Sequence, residues 1–193
     1  MPHRKPMTAA ELSQVHMIMP GEHFVSVKPL VIGTLLGSCV SACMWDPELK
    51  IGGMNHFMLP DGPTGSSPDG APARYGLYAM EVLINDLLRR GCERDRLHTK
   101  VFGGANITGS ASNEHIGARN ARFVLRFLAD DGFVPEAADL GGANSRRIYF
   151  NTADGTVRVN KVRKVGTDEI LELENKYSSS LQQKMSDSDL TYF

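Results

Sequence analysis

The sequence predicts an α+β fold, with roughly seven or eight strands in one or two mostly antiparallel or mixed sheets and two amphipathic helices packed on one side. Three observations lead there. Short alternating apolar runs, bounded by Gly, Pro and Asp-Gly signals, outnumber the helical patterns. Only two stretches repeat apolar residues at intervals of three and four. The runs also crowd the first third of the chain, which argues against the regular strand-helix alternation of a doubly wound parallel sheet.

Residues 1–21 are polar, contain Met and Pro, and show no clear period, so they are expected to form a flexible or loosely docked arm. His23 to Leu30 alternates as a short strand, and Val31 to Leu36 is an apolar extended run that Gly37-Ser38 interrupts. In the next strand, Cys39 to Trp45, alternation puts Cys39, Ser41, Cys43 and Trp45 on one face and Val40, Ala42 and Met44 on the other. Asp46-Pro47 closes it, and Ile51 to Leu59 follows as another strand. The Gly- and Pro-rich stretch 60–72 reads either as a lid beside His56 or as an exposed connector.

Arg74 to Arg90 is a predicted helix whose buried face carries Leu77, Met80, Ile84 and Leu87, with Gly91 ending it. Leu97 to Phe102 is a strand running into a glycine turn at Gly103-Gly104. Glu114 to Asp131 is the second helix, with Ile116, Asn120, Phe123, Val124, Phe127 and Leu128 inward. A weaker strand, Val134 to Leu140, leads to a third glycine turn at Gly141-Gly142. Arg146 to Asn151 and Thr156 to Val165 form a hairpin about Asp154-Gly155. Beyond Asn175 the Ser-, Gln- and Asp-rich segment reads as a tail. The organisation expected is one domain over 22–174, an N-terminal arm over 1–21 and a flexible C-terminal tail over 175–193.

Bulk composition narrows the function classes. At 193 residues, 41% hydrophobic and 22% charged, the chain has ordinary globular statistics. A formal net charge of −1 gives no electrostatic case for nucleic acid or anionic membrane. The first residues lack a signal-peptide apolar core and no run approaches a membrane span, so a cytoplasmic protein without direct membrane insertion is expected. Three cysteines, Cys39, Cys43 and Cys92, do not make a disulfide framework and suit a reducing compartment.

The chemistry centres on Cys39, directly after a Gly-Ser turn, and His56, seventeen positions on. A thiol and an imidazole on adjacent strands are the nucleophile and base of a cysteine hydrolase or transferase. The amides around Gly37, Ser38 and Cys39 offer an oxyanion concavity. The competing reading makes Cys39 a small buried apolar residue and His56 a hydrogen-bonded core histidine. A zinc site from Cys39, Cys43 and His56 is weakly indicated, because a lone Cys-x3-Cys lacks a second pair. The glycine turns do not have the order that phosphate cradling needs, and no cofactor or metal is expected. His98 and His115 are given no role. Arg146-Arg147 and Lys161-Val162-Arg163-Lys164 read as a basic strip or a solvated face.

Several motifs together resemble the CheD family, the chemoreceptor glutamine deamidases of bacterial and archaeal chemotaxis. They are Leu36-Gly-Ser-Cys39-Val-Ser-Ala-Cys-Met44, Gly53-Met-Asn-His56-Phe-Met-Leu-Pro60, Lys100-Val-Phe-Gly-Gly-Ala105, the Ile116-Gly-Ala-Arg-Asn120 core of Asn113 to Asn120, and Asp139-Leu-Gly-Gly142. The resemblance covers about Glu22 to Val165. It implies a layered α/β sandwich shared with deamidases of the cytotoxic necrotizing factor type, and a Cys-His-Thr triad with Cys39 as nucleophile and His56 as base. The family's third residue lies six positions before the cysteine, where this chain has Gly33; Thr34 lies five before. Either a one-residue slip lets Thr34 orient His56, or the third member is supplied otherwise. The implied reaction converts Gln side chains of methyl-accepting chemotaxis receptors, in their cytoplasmic helical bundle, to Glu through a thioester with release of ammonia. Some relatives are also receptor methylesterases, and some bind a CheC-type phosphatase. The rival function is a non-catalytic chemotaxis adaptor; a cysteine protease or transglutaminase is chemically near.

Overall fold

The computed structural model describes residues 12–59, 71–109, 115–162 and 167–188. Two sheets stack on one another and two helices cover the outer face of the larger one. The smaller sheet has the order β1 (His16–Met17), β3 (Val31–Leu36), β8 (Arg146–Asn151), β9 (Val157–Lys161). The larger runs β2 (His23–Ser26), β5 (Ile51–Asn55), β4 (Val40–Asp46), β6 (His98–Gly103), β7 (Ala137–Leu140). Pairing is antiparallel except for β1 with β3 and β6 with β7, which are parallel. The expected α+β layering with mixed sheets is therefore present.

The central strand β4 is buried along its whole length, and its alternation divides two cores. Val40, Ala42 and Met44 face α1 (Ala71–Arg89) and α2 (Ile116–Asp130), together with Met80, Leu83, Ile84, Leu87, Val124 and Leu128. Cys39, Cys43 and Trp45 face the smaller sheet, against Ile32, Leu36, Ile148 and Phe150. A strand with apolar residues on both faces needs a layer on each side, which is why period-two patterning here produces a three-layer molecule.

Several boundaries differ from the sequence reading, each for a local reason. β2 stops at Ser26 because its Oγ accepts from Lys28 N at 3.2 Å and donates to Lys28 O at 2.8 Å, closing a turn ahead of Pro29. Regular β5 ends at Asn55, after which a single bridge joins Phe57 to Val40. Leu77 is 40% exposed rather than inward, since α1 meets Phe123 and Leu59 across Gly76. Val134 lies outside β7 and is exposed. The loop between β8 and β9 is wider than a tight reversal, because Thr152 turns inward, its Oγ1 accepting from Leu30 N at 3.1 Å.

The ends differ most. Part of the N-terminal arm is built into the fold: β1 adds to β3, Ile18 is buried, and Ile18 N donates to Gly33 O at 2.9 Å. The segment expected to be a loose tail from 175 belongs instead to a third helix, α3 (Thr167–Ser188), with Ile170, Glu174 and Leu181 buried and Tyr177 half-buried against the inter-sheet core. Positions 170, 174, 177 and 181 lie on one face of a 3.6-residue helix, and tertiary burial of that stripe stabilises the helix. The 60–70 part of the supposed lid and residues 163–166 of the hairpin lie outside the described residues. Arg146 is not part of a basic strip: it is 2% exposed and its guanidinium clips the third glycine turn, donating to Asp139 Oδ1 at 2.8 Å and to the carbonyls of Asp139 and Gly141.

Candidate active site

Thr34 and His56 meet on the inner face of the larger sheet where it approaches β3, and Cys39 lies on that same face. Val40 and Phe57 form a bridge with both hydrogen bonds at 2.9 Å, in register with the Cys43–Met54 pair of β4 and β5. In this antiparallel register His56 stands opposite Ser41, so Cys39 and His56 are diagonal neighbours on one face. Two further backbone bonds fix the histidine, His56 N to Glu22 O at 2.9 Å and Gly21 N to His56 O at 2.7 Å. Residues 18–22, which sequence reasoning gave no chemistry, are thus the backing of the site.

Strand parity places Thr34, and not position 33, beside His56. Ile32, Thr34 and Leu36 point into the inter-sheet core and are fully buried, whereas a side chain at 33 would run into Met17, Val15 and Tyr149 on the opposite side. Thr34 Oγ1 donates to Ile18 O at 2.8 Å and meets His56 Nδ1 at 2.7 Å. A hydroxyl has one proton; with that proton on Ile18 O, the oxygen accepts from Nδ1–H. The arrangement assigns the Nδ1–H tautomer and leaves Nε2 with a free lone pair, and Nε2 is a buried atom without a hydrogen-bond partner.

The cysteine turn is held from behind by its carbonyls. Gly37 O accepts from Ala105 N at 2.8 Å, Cys39 O from Gly104 N at 2.8 Å, and Ser38 O from Asn120 Nδ2 at 2.8 Å. The glycine turn after β6 and the helix α2 therefore grip one side of the turn and leave its amides aimed at the other. Those amides converge: Gly37 N and Cys39 N each donate to Glu174 Oε1 at 3.1 Å, and Ser38 Oγ donates to Glu174 Oε2 at 2.5 Å. The concavity expected at Gly37-Ser38 is a formed anion site, occupied by a carboxylate of α3. The third glycine turn joins the same wall through Gly141 N to Gly103 O at 2.9 Å and Asn106 N to Gly142 O at 2.8 Å.

Burial and charge hold the pair neutral in this state. Cys39 is fully buried and its thiol is pushed well above the usual range, by burial first and then by the Glu174 charge and a hydrogen bond to it, against a smaller opposing effect of its backbone hydrogen bond. Burial alone pulls His56 down to about 3. Cys43, on the same face as Cys39, is also raised by burial and lies in the inter-sheet core. Among the described residues, no group of three or more His, Cys, Asp or Glu side chains is placed to hold a metal ion.

The histidine makes a stability prediction. Unfolded, its imidazole titrates at about 6.5, and folded at about 3, so below 6.5 the unfolded chain binds a proton the native chain excludes. Stability contributed by neutral His56 is present above pH 6.5 and is lost progressively as pH falls through that window. Urea unfolding is expected to show the wild type losing about 2 kcal/mol more between pH 7 and pH 5 than His56→Gln does, from about 1.4 kcal/mol per pH unit. Equal losses in the two proteins would contradict a neutral buried imidazole.

Sequence reasoning identified Cys39, His56, Thr34, Gly37 and Ser38 as candidates; the fold joins Thr34 to His56 by a hydrogen bond and gathers Gly37, Ser38 and Cys39 in one turn on the same sheet face. It missed Ile18, Asn120 and Glu174. Asn120 stood on the inward stripe of the second helix as a polar residue, which was the available signal: its Oδ1 accepts from Leu59 N at 2.8 Å while its amide holds Ser38. Glu174 gave no signal, since a glutamate in a charged helical stretch is ordinarily surface.

Comparison with known proteins gives consistent results. The model of the family described as CheD chemotactic sensory transduction matches residues 58–161. The chain is 44% identical over 177 residues, 91% of its length and 87% of the relative's, to the probable chemoreceptor glutamine deamidase CheD of Janthinobacterium sp. (strain Marseille). It is 44% identical over 176 residues to the probable chemoreceptor glutamine deamidase CheD 1 of Dechloromonas aromatica (strain RCB), with 91% and 87% covered. The same figures, 44%, 91% and 87%, hold over 177 residues for the protein of that description from Herminiimonas arsenicoxydans.

Proposed function

Since the chain belongs to the CheD family, we propose that it is a protein-glutamine deamidase, an amidohydrolase that converts glutamine side chains of chemotaxis receptors to glutamate. The substrate is the cytoplasmic helical bundle of methyl-accepting receptors, and the enzyme works in the cytoplasm; a CheC-type phosphatase is a further partner suggested by the family resemblance. No described helix is long and apolar enough to cross a membrane.

The observation that carries the reading is the 2.7 Å bond between Thr34 Oγ1 and His56 Nδ1, which leaves Nε2 unprotonated on the face it shares with Cys39. Nε2 takes the thiol proton, and the Cys39 thiolate attacks the carboxamide carbon of the receptor glutamine. The developing oxyanion is held by Gly37 N–H and Cys39 N–H, amides already aimed at one oxygen position. His56 returns the proton to the departing nitrogen, ammonia leaves, and a thioester to Cys39 remains. Water, deprotonated by His56, then adds to the thioester and releases glutamate and the thiol. A glutamate methyl ester would follow the same course with methanol leaving, which accounts for methylesterase action in the same site. Thr34 acts as a positioning residue: it supplies no proton to the substrate and fixes which imidazole nitrogen carries one.

The test is incubation of the purified chain with a receptor cytoplasmic fragment, reading amide-to-acid conversion by peptide mass spectrometry and ammonia by an enzymatic assay. Thr34→Val is expected to lower kcat by about tenfold to a hundredfold at little change in KM, because tautomer and ring orientation are lost while substrate contacts remain. Thr34→Ser is expected to recover most of the rate. A lysine crosslink in place of ammonia would turn the reading to a transglutaminase. An unmodified fragment that the protein nonetheless binds would turn it to an adaptor.

A further inference from the structure

The anion site beside Cys39 is filled by the chain itself, and the group that fills it has the structure of the reaction product. Glu174 sits mid-helix in α3, 6% exposed, with one carboxylate oxygen on the Gly37 and Cys39 amides and the other on the Ser38 hydroxyl. A buried carboxylate is costly unless its oxygens are satisfied, so the three donors are what allow it there. The turn is shaped to receive the helix. A Cβ at Gly37 would lie 2.8 Å from Glu174 Oε1 and 2.9 Å from Ile170 Cγ2, and one at Gly21 would lie 2.5 Å from the Tyr177 ring. Ile170, four residues before the glutamate, and Leu181, seven after, are buried on the same face, and Tyr177, three after, packs at the inter-sheet core.

Resting on the deamidase reading, we propose that α3 is an intramolecular product mimic: it presents Glu174 to the oxyanion site as a receptor helix presents its glutamine, and it must be displaced before a receptor can be modified. A glutamate carboxylate and a glutamine carboxamide are the same size and shape, so a helix seated this way places a side-chain carbonyl where the oxyanion is to form. In the docked state nothing can react. The site already holds the acid, Cys39 is fully covered, and the adjacent negative charge opposes formation of the thiolate. The groove also states what a competing helix needs: a glutamine at the place of Glu174, flanked by apolar residues four before and seven after and a large residue three after. Displacement by such a helix couples activity to receptor encounter.

Two full-length variants test this. Glu174→Gln keeps the shape of the plug and replaces the product by a substrate. It is expected to deamidate itself, each chain taking up one water, releasing one ammonia and returning to Glu174, whereas the introduced amide persists when Cys39→Ala is added. Ile170→Asp unseats the helix while leaving the catalytic groups in place. It is expected to raise the initial rate on a receptor cytoplasmic fragment by about tenfold, the factor by which a site open about one-tenth of the time is held back. Cys39 in this variant is also expected to react with iodoacetamide at least about tenfold faster than in the wild type, with Cys43 and Cys92 unchanged in peptide maps. That alkylation readout does not depend on deamidation. The plug is overturned, with the deamidase reading intact, if the receptor fragment is modified at equal rates by wild type and Ile170→Asp, alkylation is equal, and the side chain introduced by Glu174→Gln stays an amide. If no variant modifies the fragment and that introduced amide also persists, product mimicry falls together with the deamidase reading.

Discussion

Cys39→Ala is expected to lower deamidation of a receptor fragment by at least about ten thousandfold while leaving the protein folded. The magnitude follows from the way a nucleophile, its base and the orienting group act as a unit, so that removing the attacking atom forfeits nearly everything except binding and oxyanion stabilisation. The structural cost is small. The side chain is fully buried between the sheets, and replacing sulfur by hydrogen removes one atom from a wall that Leu36, Phe102 and Ile148 keep closed. The amides of Gly37 and Cys39 are backbone groups and remain aimed at the same oxygen position. Cys43→Ala is the matched control, since Cys43 shares the face and the burial but belongs to the inter-sheet core. It is expected to keep activity within a few-fold. Rates from mass spectrometry and far-UV circular dichroism on both variants check the pair, and deamidation persisting in Cys39→Ala would remove the thioester mechanism.

Gly103→Ala is expected to damage both fold and activity from outside the triad. Gly103 has φ +116°, a region that side-chain-bearing residues enter only with strain of about 1–3 kcal/mol. Its missing Cβ would lie 2.1 Å from Cys39 O, a backbone atom that cannot swing aside. Relief requires moving the Cys39 turn, and with it the two amides of the oxyanion site. A displacement approaching 1 Å there costs about a hundredfold in rate. Gly109→Ala separates strain from contact, because Gly109 also has positive φ, +69°, but a Cβ there meets nothing within 4 Å. Gly103→Ala is expected to lose at least about 3 kcal/mol in urea unfolding and about a hundredfold in kcat, and Gly109→Ala about 1 kcal/mol with activity retained. Equal effects of the two substitutions would show that backbone strain, not the approach to Cys39, is what Gly103 controls.

Much of the fold was legible because local periodicity and burial agree. β4 carries apolar residues at both parities, and both faces are covered; α1 and α2 carry stripes, and those stripes meet β4. The candidate site was legible as far as neighbouring strands carry it: Cys39 directly precedes β4 and His56 directly follows β5, strands joined by a short connection, so their register follows from the β4–β5 pairing. Thr34 is harder, because counting back from the cysteine crosses the Gly37-Ser38 turn, where alternation breaks. Parity along β3 itself, with Ile32 and Leu36 as buried neighbours, is the better guide and selects Thr34 over Gly33.

The chain ends were misread for a different reason. His16 and Met17 are too few to register as a strand, and their pairing partner is the β3 edge, which no local pattern announces. Among the described side chains of α3, the inward face carries Ile170, Tyr177 and Leu181 as apolar residues, and at its centre is a carboxylate. Hydrophobic periodicity is blind to a buried glutamate, because the energy that holds it comes from the Gly37, Ser38 and Cys39 donors and those lie some 135 residues away. The sequence by itself determined the two-faced strand that divides the molecule and the helix stripes that cover it, and it singled out Cys39 and His56 as candidates, since each rests on alternation or spacing within one element or two adjoining ones. Only the tertiary structure decided the tautomer of His56 and the occupant of the site, because both depend on single hydrogen bonds between segments brought together by folding, Ile18 with Thr34 and Glu174 with the cysteine turn.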